Sequence, residues 1–235
     1  MTVDALDIAH AIMSDHLMTF AGIIFDLDGT LVDSERVAQD AGVAAFTSFG
    51  MNVDFNYMLG LVGHDWVYCQ NKLEQDFGPQ DFGAIAQSWR SEVAARRELI
   101  VAKPGAVEVL SDLRSQGIPV GVATSSRRVG AEFKLNHCGM AELVQAVVAR
   151  EDVTCAKPDA EPFETAAKRL GVAKESCLGV EDSHTGVASA LAAGMCVLQV
   201  PDLMAPLETA HYIADDLLSG LQLAGVDLAE SLRTP

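Results

Sequence analysis

The stretch Gly22-Ile23-Ile24-Phe25-Asp26-Leu27-Asp28-Gly29-Thr30-Leu31-Val32-Asp33 decides how this chain is read. An apolar run of strand type stops on two carboxylates one residue apart, then a glycine. On extended backbone, residues i and i+2 point to the same side. Asp26 and Asp28 therefore leave the strand end together, with Leu27 turned away. Two like charges that close resist ionising together unless a cation sits between them or one keeps its proton. The pair suits a divalent-metal site, or a nucleophile beside a general acid. Gly29 lets the backbone turn and approach a ligand closely. Asp-Gly alone is also an ordinary hairpin turn, so the rest of the chain has to choose.

Outward from this stretch, strand character gives way to helical periods over Ser34 to Ile100. Val37, Ala41, Ala45 and Phe49 step by four; Trp66, Cys69, Leu73 and Phe77 form a second stripe; Ile85, Trp89 and Val93 form a third. These stripes read as the core of a small helical module inserted after the first strand. From Lys103-Pro104-Gly105 onward, helix and strand alternate. Strands are expected at Val120 to Ala123, Ala146 to Ala149, Cys177 to Val180 and Val197 to Val200. Helical stripes separate them, such as Phe163, Ala166, Ala167 and Leu170. Short apolar strands alternating with helices predict a parallel sheet covered on both faces.

Ligands of such sheets bind at the carboxyl ends of the strands. Those ends carry Asp26 and Asp28, then Thr124 and Ser125, then Glu181 and Asp182, with Lys157-Pro158 in a loop. Singly, each has an ordinary explanation. Hydroxyls after a strand cap helices, acids suit a first helical turn, and a loop lysine is usually solvated. Together with the Gly29 and Thr30 amides they form the inventory of phosphoryl transfer, where positioning and charge neutralisation supply most of the catalysis.

Composition narrows the partners. The 235 residues, 49% hydrophobic and 21% charged, can bury a proper core. With 33 acidic against 16 basic residues the net charge is −17, a field that repels nucleic acid and anionic membrane. Neither is expected as a partner, and a phosphorylated substrate needs local cations. Five scattered cysteines, never in a C-x-x-C pair, fit a reducing compartment. No apolar run is long enough to span a bilayer. Residues 1–18 carry Asp4, Asp7 and Asp15 and lack the basic start of a secretory signal. Ala5, Ile8, Ala9 and Ile12 give them helical spacing, as a short helix or a frayed extension. The expected location is cytoplasmic.

Four motifs stand in order: Asp26-Leu27-Asp28-Gly29-Thr30, Thr124-Ser125, Lys157-Pro158, and Gly179-Val180-Glu181-Asp182-Ser183. In these the sequence resembles the haloacid dehalogenase-like hydrolase superfamily, and within it the β-phosphoglucomutase-like sugar phosphatases and mutases. The likeness runs from about Phe20 to Val200. It implies an α/β fold, a Rossmann-like parallel sheet with helices on both faces plus an inserted all-helical cap. The implied division is an extension over 1–18, a core domain over 19–33 and 101–235, and a cap over 34–100. Asp26 would be the nucleophile and Asp28 the general acid and base. Mg²⁺ would sit on Asp26, the Asp28 backbone carbonyl and Asp182, with Glu181 behind them or as an occasional ligand. Lys157, Thr124, Ser125, Gly29 and Thr30 would bind the phosphate. In the cap, His64, Asp65 and Trp66 would contact the leaving group. Asp28 argues against carbon–halogen cleavage, because the dehalogenases lack that second aspartate. Ala38 stands where β-phosphoglucomutases carry a cap histidine, which argues against a dedicated mutase. The expected activity is hydrolysis of a small-molecule phosphate ester, a sugar phosphate foremost, by a monomer or small homo-oligomer. A phosphomutase is the alternative, and a non-catalytic phosphate-binding protein the third reading.

Overall fold

A computed structural model describes residues 20–61 and 66–232, with the Trp66 side chain also outside it. The helix expected within 1–18 therefore lies outside the described residues. The strands are β1 (Gly22–Phe25), β2 (Val32–Asp33), β3 (Val101–Ala102), β4 (Val120–Ala123), β5 (Ala146–Val148), β6 (Cys177–Glu181), β7 (Cys196–Gln199) and β8 (Tyr212–Ile213). Six of them form one parallel sheet in the order β5-β4-β1-β6-β7-β8. β1 lies between β4 and β6, so the strand carrying the two aspartates is central.

Period-two alternation explains how β1 serves both faces. Ile23 and Phe25 enter one core cluster and Ile24 the other. The first cluster takes side chains from α5 (Ala106–Ser115), α6 (Arg128–His137) and α9 (Leu217–Leu223). The second takes them from α7 (Glu161–Leu170) and α8 (His184–Ala192). Helices thus cover both faces, and the short strands read as continuous apolar runs because neither side meets water. Strand order reverses around β1, which opens a crevice at its carboxyl end.

Between β2 and β3 run α1 (Glu35–Ser48), α2 (Phe55–Leu59), α3 (Trp66–Phe77) and α4 (Phe82–Arg96). They hold their own cluster, with Phe46, Met51, Met58, Leu73 and Ile85 buried. The Trp89 indole donates to the Ala38 carbonyl at 2.8 Å, tying α4 to α1. Gly42 leaves room for both neighbours, since a Cβ there would lie 3.2 Å from Trp89 Cε2 on α4 and 2.4 Å from Met58 Cε on α2. One expectation fails here: Phe49 is exposed and Phe46 is buried instead. A step of four overshoots the 3.6-residue turn by about 40°, so three steps carry Phe49 off the face that Val37 begins.

The β2–β3 pair was not expected. Val32 faces Ala102 and Asp33 faces Val101 in an antiparallel ladder, and the Lys103 amide donates to the Leu31 carbonyl at 2.9 Å. β8 was equally unforeseen; two residues cannot display an alternation. Among the described residues no helix is long and apolar enough to cross a membrane.

Candidate active site

The chain turns sharply after β1. The amides of Leu31 and Val32 donate back to the Leu27 carbonyl, and Gly29, at φ +89°, donates to Val32. Only glycine adopts that backbone without strain. A Cβ at Gly29 would also stand 2.4 Å from Asp182 Oδ2, so the missing side chain is what lets the β6 end approach. Thr30 Oγ1 donates to Asp182 Oδ1 at 3.2 Å across this contact.

Lys157 joins the strand ends from below. Its ammonium, with the side chain 4% exposed, donates to Asp26 Oδ1 and Glu181 Oε1 at 2.5 Å each. Glu181 is fully buried and is further held by the Ser183 hydroxyl at 3.1 Å and by the Asp182 and Ser183 amides. Gly186, in the first turn of α8, makes room for it; a Cβ there would overlap the Glu181 carboxylate at 1.8 Å.

Asp28 meets a different set of partners. Oδ1 accepts from Ser34 Oγ at 2.5 Å and from the Lys134 ammonium; Oδ2 accepts from Ser126 Oγ at 2.6 Å and Thr124 Oγ1 at 3.4 Å. Lys134 also donates to Ser126 Oγ at 2.8 Å. Neither Ser125 nor Ser126 caps α6, whose N-cap is Arg127 without a side-chain bond. The Ser126 hydroxyl goes to the aspartate instead.

These surroundings push the carboxylates apart. Burial raises Asp26 well above the usual range; Lys157 opposes that shift, while Glu181, Asp182 and Asp28 add to it. Burial, then the neighbouring Glu181, raises Asp182 to about 8. For Asp28 burial also pushes upward, but the Lys134 charge and the hydrogen bonds from Lys134, Ser126 and Ser34 outweigh it and hold the group low. Lys157 is driven upward, because Asp26 and Glu181 outweigh its burial.

A carboxyl whose folded pKa is raised binds its proton more tightly in the folded chain than in the unfolded one. Stability then falls as pH rises between the two values. Metal-free protein should therefore lose thermal stability from about pH 4 to about pH 8, the window set by Asp182. Asp28 acts with the opposite sign, its contribution being lost only as pH falls into the acid range. Melting curves in EDTA over this range check the slope, and a melting temperature that rises toward pH 8 would contradict it.

Asp26, Glu181 and Asp182 each offer a carboxylate oxygen, and these oxygens lie within 4.8 Å of one another. An all-oxygen acidic set, in which burial raises the proton affinity of Asp26 and Asp182, fits a hard divalent cation. A second group, Cys155, Asp159 and Glu161, is more exposed, and its Glu161 oxygens already accept from the Thr154 and Cys155 amides.

A cavity of about 260 Å³ opens over the site. Asp26, Asp28, Thr124, Ser125, Lys157 and Asp182 line it, so residues more than 150 positions apart meet at one edge. Thr30 and Glu181 lie immediately behind, bonded to Asp182 and Lys157. His64 and Asp65 lie outside the described residues. Trp66 opens α3, and nothing further is described of its side chain.

The haloacid dehalogenase-like hydrolase family profile matches residues 23–200, most of the chain and all four motifs. The chain belongs to that family. Its relatives include fructose-1-phosphate phosphatase YqaB of Escherichia coli K12, 31% identical over 184 residues that cover 77% of this chain and 96% of the relative. The bifunctional riboflavin kinase/FMN phosphatase of Arabidopsis thaliana is 31% identical over 202 residues; they cover 85% of this chain but only 53% of that longer protein. Among solved structures, a haloacid dehalogenase-family hydrolase from Deinococcus radiodurans R1 with bound phosphate and sodium superposes with a TM-score of 0.77. It is 26% identical, with coverage of 89% of this chain and 98% of that one. Family and named relatives together make this chain an enzyme of the phosphatase type.

Three residues at this family site escaped the sequence reading. Ser126 falls among the hydroxyls after a strand, whose ordinary role is to cap a helix, and Lys134 belongs to none of the four motifs. Glu35 reads as an acid suited to a helix N-terminus, yet it lines the cavity. The one usable signal was the unbroken run of hydroxyls from Thr124 to Ser126, one more than capping requires.

Proposed function

We propose that the chain is a Mg²⁺-dependent phosphatase that hydrolyses a small phosphorylated metabolite, a sugar phosphate, through an aspartyl-phosphate. The observation that carries this reading is the pairing at the β1 end. Asp26 faces the cavity with Lys157 on one of its oxygens, while Asp28, two residues on, sits among separate donors. In this reading Asp26 attacks phosphorus in line, and the P–O bond to the leaving alcohol breaks. Asp28, held ionised by Lys134 and its hydroxyl partners in the ligand-free fold, would first take the proton that a monoanionic phosphate ester brings in, deliver it to the departing oxygen, and then accept one from the water that cleaves the acyl phosphate. Lys157, Thr124, Ser125 and the Thr30 amide would hold the phosphoryl oxygens; Gly29, whose own amide is taken by the Val32 carbonyl, would serve by letting the backbone come close. Asp26, the Asp28 carbonyl and Asp182 would hold Mg²⁺, with Glu181 behind them. There the ion would supply charge neutralisation for the phosphoryl group.

The sugar preference leans on the fructose-1-phosphate phosphatase relative. We assign 34–100 as a cap domain over a core of 19–33 and 101–235, with the loop around His64, Asp65 and Trp66 touching the leaving group. Support comes from the separate cluster of α1–α4 and from Glu35 of α1 reaching the cavity. A mutase is not favoured: Ala38, on the same helix, offers no proton-transfer group. The proposed setting is a cytoplasmic monomer or small homo-oligomer.

The test is phosphate release from a panel of sugar phosphates. Release with Mg²⁺, lost in EDTA and restored by added Mg²⁺, is expected. Activity that survives EDTA removes the metal role. Isomer formation primed by a bisphosphate, without net phosphate release, would replace the phosphatase by the mutase. No reaction across the panel leaves a phosphate-binding protein.

A further inference from the structure

We propose that Gln199 is a positioning residue, whose side-chain amide holds Asp182 and the loop walling the cavity in one frame, so that its loss weakens Mg²⁺ binding and substrate binding together. This rests on the phosphatase reading of the cavity. Gln199 closes β7 and has no exposed surface. Residues two apart on a strand share a face, which puts it beside Val197, in the core cluster that α7 and α8 cover. An apolar side chain would fill that place at a lower desolvation cost. The amide offsets the cost because both of its ends are bonded.

Nε2 donates to the Asp182 carbonyl at 3.0 Å, and Oε1 accepts from the Leu207 amide at 2.7 Å. These partners fix the orientation of the side chain, since a carbonyl can only accept and a backbone N–H can only donate. Asp182 is thereby held at both ends, its carboxylate by Thr30 at 3.2 Å and its peptide by Gln199. Leu207 lies on the loop that follows β7 and brings Leu203 and Met204 to the cavity wall. Two further bonds pin this loop: Asp202 pairs with Lys103 at 2.7 Å, and the Ala205 carbonyl meets the His184 ring at 2.7 Å. Those pins reach the exit of β3 and the first turn of α8, whereas Gln199 runs from the loop to the aspartate itself. A glutamine that merely satisfied two backbone groups would affect stability alone. Here the two groups carry the carboxylate offered to the ion and the wall offered to the leaving group.

Gln199→Met removes both bonds at similar length and volume. Calorimetry should show its Mg²⁺ dissociation constant raised about tenfold or more, the scale on which partners behind a metal ligand act. At saturating Mg²⁺, KM for the sugar phosphate that wild type hydrolyses best should rise about tenfold, with kcat changed less than about threefold, because no reacting group is touched. Acetyl phosphate, whose two-carbon leaving group gives Leu203 and Met204 little to hold, should show a smaller rise in KM. Gln199→Asn keeps the amide but is too short to reach both partners at once. Both constants should fall between wild type and Gln199→Met, and this variant decides the matter if the methionine variant does not fold. Gln145→Met, which loses a bond to the Val120 amide at the amino end of β4, is the comparison for a loss of stability alone.

A folded Gln199→Met with wild-type Mg²⁺ affinity overturns the proposal. So does a shift in only one of the two constants, or the same shifts in Gln145→Met. Wild type that binds no Mg²⁺ removes the metal reading and this assignment with it. Wild type that binds Mg²⁺ but hydrolyses no ester removes the phosphatase reading alone, and the Mg²⁺ constant then decides for or against Gln199.

Discussion

Asp26→Asn loses turnover by about four orders of magnitude or more while the folded chain keeps, or gains, thermal stability. The two halves of this result have one cause. Asparagine is nearly isosteric and can still accept from Lys157, but it cannot form the acyl phosphate. Asp26 is also crowded by burial and by Glu181, Asp182 and Asp28, so its ionised form is strained in the metal-free fold. A neutral amide relieves that repulsion. Phosphate-release assays beside melting curves in EDTA read both effects. Wild-type turnover in the variant would end the covalent scheme, and a large fall in melting temperature would show that the carboxylate is structural.

Lys157→Met produces the opposite pattern, with activity and stability falling together. The ammonium is the shared counter-charge of Asp26 and Glu181, and both of those are buried. Removing one partner of a buried ion pair costs about 3–5 kcal/mol, since the other charge is left unmatched. Methionine keeps the apolar stem, including its approach to the Phe163 ring, where the ammonium sits 5.2 Å from the centroid. The loss is therefore electrostatic rather than steric. Millimolar Mg²⁺ should restore part of the melting temperature and little of the turnover. Combining it with Asp26→Asn should cost less than Lys157→Met alone, a non-additivity expected of groups in contact. Simple additivity of the two substitutions would show that they do not share one cluster.

The central sheet was legible because buried parallel strands leave unbroken apolar runs, such as Val120 to Ala123, between helical stripes. The convergence of Asp26, Thr124, Lys157 and Asp182 followed from the rule that such sheets bind ligands at one edge. Lys134 was not legible, because a lysine on an amphipathic helix looks solvated until its helix is placed. It is ten residues from Thr124 in sequence, yet its ammonium crosses to Asp28. Glu35 was hidden for a related reason. Its position at the start of α1 has a sufficient local explanation, and only the fold shows that the helix begins over the cavity. Phe49 failed on geometry, since a four-residue stride drifts around a helix that repeats every 3.6.

The β2–β3 ladder makes the helical insertion a graft whose two chain crossings lie side by side. Asp33 and Val101 face each other across two hydrogen-bonded strands, so the chain departs and returns side by side. Excision of everything between them would leave two ends about 5 Å apart, within reach of a two-residue hairpin. The sheet and its catalytic edge would need no rethreading. A different lid spliced at the same seam would inherit Asp26, Lys157 and Asp182 in place and would have to supply afresh only the hydroxyl that Ser34 gives Asp28, while the choice of substrate was rewritten.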